Sequence, residues 1–123
     1  MELEQYQQKV RSYANYPLEL GPYAIILNLQ EDIGTLSGKL RSLIDTISMQ
    51  GNLSKEDKQR IGITIGDILF DIANMATDMQ LSLEEISLLN IRKHEIIQKR
   101  LEQKMENENI KLRQENNNLR KSK

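Results

Sequence analysis

Apolar residues return along this chain at intervals of three and four, and no stretch alternates regularly enough to read as a strand. Ile26, Leu29, Ile33, Leu36, Leu40, Leu43, Ile44 and Ile47 make one such series, which predicts a long helix with a buried stripe. Pro22 suits the first turn of that helix, and Gln50-Gly51-Asn52 ends it. Ile61, Ile65, Ile68, Ile72 and Met79 mark the core stripe of a second long helix. Ser54 starts it, with Asp57 in a capping-box-like position. Ser82 and Glu85 repeat that signature ahead of Ile86, Leu89, Ile96 and Ile97. A short helix over residues 2–13 comes first, followed by the turn NYPLELGP. Four helices with short connections predict an all-α bundle.

The remaining 26 residues, 98–123, are polar. Leu101, Met105, Leu112 and Leu119 leave a thin heptad trace among Glu and Asn, so a coiled strand and a solvated helical extension are both open. The sequence thus divides into a helical domain, 1–97, and a C-terminal extension, 98–123, that is a natural handle for oligomerisation.

Composition narrows the chemistry. With 123 residues and no cysteine, one domain is expected, without disulfides, a thiolate nucleophile or a zinc–sulfur centre. The single phenylalanine and missing tryptophan leave an aliphatic core of Ile, Leu and Met. No apolar run approaches the roughly 20 residues of a membrane span, and the polar start MELEQYQQKV is unlike a secretion signal. A cytoplasmic location is the expectation. The net charge of −1 divides into −5 before Lys99 and +4 from Lys99 onward. An acidic body does not suit a phosphate backbone, which leaves the basic tail as the only segment that suits nucleic acid or an acidic partner.

At roughly 100° per residue, Asn28, Asp32, Thr35 and Lys39 share one sector of the first long helix, beside its apolar stripe. Thr64, Asp67, Asp71 and Asn74 gather similarly on the next. Carboxylates at such spacing repel unless a cation offsets them. The pattern fits either a divalent-metal site or an ordinary solvated face, and periodicity does not choose between them.

The order YPLELGPYAIILNLQEDIGTL, then TIGDILFDIANMATDMQLSLEEISLLNIRK, resembles the MazG-like all-α nucleoside triphosphate pyrophosphohydrolases over roughly residues 4–97. The resemblance implies a four-helix bundle that assembles as a homodimer or homotetramer around Mg²⁺, with Mn²⁺ as a substitute. The implied reaction cuts a nucleoside triphosphate into the monophosphate and pyrophosphate. The family's Glu-Glu-x-x-Glu motif falls on Glu31, Asp32 and Thr35, and its Glu-x-x-Asp motif on Thr64 and Asp67. Glu31, Asp32 and Asp67 are therefore the implied catalytic acids and metal ligands, and Asp71, one turn beyond Asp67, is either a relocated fourth ligand or an exposed residue. Asp71 stands where the family tends to have an aromatic residue. Asn90 and Lys93 match the pair expected at the nucleotide, and Lys39 is a further candidate there. Thr35 and Thr64 replace acids, which implies weakened or absent hydrolysis. Two other functions remain open: a nucleotide-sensing or sequestering module that does not cut, and a structural oligomerisation or adaptor protein. Phe70 is expected in the core, Tyr6, Tyr13, Tyr16 and Tyr23 against the bundle, and His94 on a solvated face.

Overall fold

The computed structural model describes residues 1–122, and it is all-α: no strand occurs among the described residues. The helices are α1 (Leu3–Arg11), α2 (Pro22–Gln50), α3 (Lys55–Asp78) and α4 (Leu83–Lys121), with a 3-10 turn at Leu18–Leu20. The chain forms two units, residues 1–84 and 85 onward, and α4 runs without interruption through residue 97, after which the sequence reading begins the C-terminal extension.

In the first unit, α2 and α3 form an antiparallel hairpin and α1 packs on α3. Local chemistry sets the ends. Pro22 opens α2, where its missing N–H costs nothing. Gly51 closes it with a left-handed φ of 72°, its N–H donating to the Ile47 carbonyl at 2.9 Å. Ser54 caps α3 by accepting the Asp57 N–H at 3.1 Å.

The α3 terminus is less comfortable. Gln80 takes a φ of 58° while the Leu81 N–H donates to the Ala76 carbonyl at 2.8 Å. This is the position that glycine fills in most such helix ends, and a side chain there costs about 1 kcal/mol. Gln80→Gly is expected to stabilise the protein by about 1 kcal/mol, read as a higher urea midpoint with an unchanged denaturant slope.

The core lies between α1, α3 and the first residue of α4. Val10, Ala73 and Leu83 are buried, with Leu3, Tyr6 and Phe70 packed against them. Gln7 stitches this region: its Nε2 donates to Thr77 Oγ1 at 3.1 Å and the Leu81 carbonyl at 2.8 Å. Its Oε1 accepts the Leu83 N–H at 2.7 Å. Tyr6 and Tyr16 pack as expected, but Tyr13 and Tyr23 are exposed.

The two long stripes are not the core. On α2, Ile26, Ile33, Leu40, Ile44 and Ile47 are exposed, up to 60% at Ile44. On α3, Ile65 and Ile72 are exposed as well, as is Met79 just past its end. The hairpin closes instead along the boundary between each stripe and its polar sector, so that Ile25 and part of the stripe turn inward together with Asp32, Lys39, Thr64 and Asp71. Each half-exposed Ile or Leu still offers about 1 kcal/mol of burial.

Candidate functional site in the hairpin cleft

Polar groups face one another across the α2–α3 hairpin. At one level Lys39 Nζ donates to Thr64 Oγ1 at 2.5 Å and to the Arg60 carbonyl at 3.3 Å. Two helical turns away, Asp32 meets Asp71 carboxyl to carboxyl. The two levels fit an antiparallel pair, in which a step of two turns back along α2 matches the same step forward along α3.

Asp71 is 3% exposed. Burial above all, then the hydrogen bond and the charge of Asp32, then the charge of Asp67, push its carboxyl up to about 7. Asp71 therefore keeps its proton well above the usual carboxylate range, since burial beside other carboxylates disfavours its charged form. No donor reaches Asp71 Oδ2. Three residues on, Asn74 is completely buried, its Nδ2 donating to the Phe70 carbonyl at 3.2 Å and to that of Val10 at 3.5 Å. Its Oδ1 is likewise without a partner. Unsatisfied buried acceptors are uncommon in folded proteins, and two of them lie on one face of α3.

The other acids do not join this pair. Asp67 is exposed, one turn before Asp71; its charge reaches Asp71 and, second to burial, raises the Tyr6 hydroxyl. Glu31 is exposed, because one residue's step of about 100° around α2 turns it away from the cleft side that Asp32 occupies. Thr35 is also exposed, with its hydroxyl donating back to the Glu31 carbonyl at 3.1 Å. Among the described residues, no group of three or more Asp, Glu, His or Cys is arranged to hold a metal ion. What remains is a two-carboxylate pair with a third acid at its edge.

Thr64 is buried and already engaged by an ammonium group. Lys39 is thus tied to α3 and is not a free surface charge. Asn90, Lys93 and His94 lie on the exposed surface of α4. Asn74, Gln7 and the Tyr16–Asp78–Arg11 cluster were not among the residues the sequence singled out for a role. Asn74 alone had a signal, its place in the polar sector of α3.

Compared with known protein families, curated proteins and solved structures, the chain matches none. No helix among the described residues is long and apolar enough to cross a membrane.

Proposed function

We propose that this chain is a nucleotide-binding helical protein of the pyrophosphohydrolase type, with weak or no hydrolysis. The observation that carries the reading is the Asp32–Asp71 pair, two carboxyls in contact within the cleft with an acceptor left over. Oxygen donors of this kind suit a hard divalent cation, and Mg²⁺ is commonly held by one or two carboxylates together with substrate phosphates. Asp32 and Asp71 would hold it, with Asp67 at the mouth and Asn74 Oδ1 as the buried acceptor behind. Such an ion, when bound, neutralises phosphate charge and polarises the phosphoryl group. The chain's own contribution is to bring the two acids together on facing helices and to give up the proton that Asp71 holds. Asn90 and Lys93 are the residues the family resemblance assigns to the nucleotide.

Binding without cutting is favoured over catalysis by the Lys39–Thr64 contact. Where the resemblance implies an acid, the chain has a buried hydroxyl already holding an ammonium group, so that position adds no carboxylate and repels a second cation. Self-assembly belongs to the same reading. The exposed apolar stripes of α2 and α3 fit a second copy of the chain as a homodimer or homotetramer, because identical aliphatic faces bury one another.

Thermal unfolding with nucleoside triphosphates and Mg²⁺ or Mn²⁺ tests the proposal. A rise in Tm is expected with metal and nucleotide together, at least tenfold weaker in apparent affinity in Asp71→Asn, with the nucleotide recovered largely intact. Absence of any shift across the common triphosphates would refute it, as would an undiminished shift in Asp71→Asn.

A further inference from the structure

Every residue from 88 to 122 is exposed, and the helix there is unbroken to Lys121. On an unbroken helix, charges can be assigned to faces. At roughly 100° per residue, Lys93, Arg100, Lys104 and Lys111 fall within about 40° of one another. Asn107 and Gln114 lie beside them, and no acid falls in the sector about 80° wide that holds all six. Glu108 and Glu115 flank this sector, and Glu95, Glu102 and Glu106 sit on the opposite side of the helix with Arg113 and Arg120. A tail that reads only as modestly basic therefore gathers three of its cations, with Lys93 before them, on one narrow face.

We propose that this face of α4 binds the phosphate backbone of duplex DNA. Its four cations span about 27 Å along the helix axis, a length over which a duplex presents a phosphate charge about every 1.7 Å. A bare helix about 10–12 Å across also matches a major groove about 12 Å wide. Amides between the cations are donors to phosphate and base edges. An anionic membrane fits less well. Membrane-surface helices carry a broad apolar face opposite their cations, whereas here that side is charged, with three glutamates and two arginines. Four neutralised phosphates give weak, sequence-independent binding that is steep in salt.

The test is fluorescence anisotropy of a labelled DNA duplex titrated with the full chain over a series of salt concentrations. Micromolar binding is expected at low salt, with log K falling against log salt with a slope of about −3 to −4. Lys104→Glu with Lys111→Glu should weaken binding more than tenfold. Arg113→Glu with Arg120→Glu, which changes net charge equally but lies off this face, should change it less than threefold. Equal losses in the two double variants would overturn the proposal, because net charge rather than the face would then be responsible. So would no binding at low salt, or binding to phosphatidylserine vesicles without binding to the duplex. None of these outcomes depends on whether the hairpin cleft binds a nucleotide.

Discussion

Replacing Asp71 with asparagine is expected to make the protein more stable at pH 8 and to remove much of its loss of stability between pH 4 and 7. The direction follows from proton counting. Asp71 titrates near 7 in the folded chain, against 3.8 when unfolded. Between those values the folded state holds a proton that the unfolded chain has released, so raising the pH favours unfolding. Below 3.8 both states are protonated and the penalty is absent; above 7 both are ionised and it has reached its full size. About three pKa units correspond to at most about 4 kcal/mol. Asparagine keeps the shape, offers Asp32 an N–H donor and cannot ionise. Urea unfolding at pH 4.5, 6 and 8 in a divalent chelator measures the difference between parent and variant. A difference that does not grow with pH would mean that Asp71 does not carry its proton in the folded chain. A difference that does grow makes the substitution favourable for the fold and costly to the site, the usual balance where acids are held together for a ligand.

The outcome separates what local sequence dictates from what only packing decides. Pro22, Gly51 and the Ser54–Asp57 cap act within a few residues, and the sequence locates each of those helix ends. Ser82 marks the start of α4 in the same way. The apolar stripes are also correctly placed on their helices, but a periodic pattern states only which residues share a face. It does not state whether that face meets a neighbouring helix of the same chain. Here α2 and α3 meet off the stripe, and Ile33, Leu40, Ile65 and Ile72 stay exposed.

The cleft shows the same limit more sharply. Asp67 and Asp71 are one turn apart and differ by only about 40° around α3. That rotation leaves Asp67 in solvent and buries Asp71 against Asp32. The family resemblance favoured Asp67, the motif acid, while Asp71 departs from the family's usual residue. The pairing of Asp32 with Asp71, and of Lys39 with Thr64, depends on the register of two helices, which no single segment encodes. Gln7 and Asp78 were equally hidden, since an isolated Gln or Asp on an amphipathic helix reads as surface.

Asp78→Ala should destabilise the first unit by about 3 kcal/mol, the cost typical of breaking a largely buried charged pair. Asp78 has a side chain only 3% exposed, and it accepts from Arg11 Nη1 at 2.8 Å and from the Tyr16 hydroxyl at 2.6 Å. Arg11 Nη1 also donates to Tyr16 at 2.8 Å. These three groups fasten α1 and the turn after it to the end of α3. Removing the carboxylate leaves a guanidinium without its counter-charge and a buried hydroxyl without its acceptor. Tyr16→Phe removes one neutral hydroxyl, leaves the charged pair in place and should cost about 1 kcal/mol. Because the groups share one network, the double variant should be less destabilised than the two single costs combined. Titration supplies a second reading. Burial first, and then the bond to Asp78, push the Tyr16 hydroxyl up to about 12. The folded chain thus keeps the phenol proton that the unfolded chain loses near 10, and stability falls as the pH rises between those values. In Asp78→Ala the phenol should ionise at lower pH, visible in its ultraviolet absorbance. Strict additivity of the two variants, with an unmoved phenol titration, would show that Asp78 acts alone and that the three side chains do not form one unit.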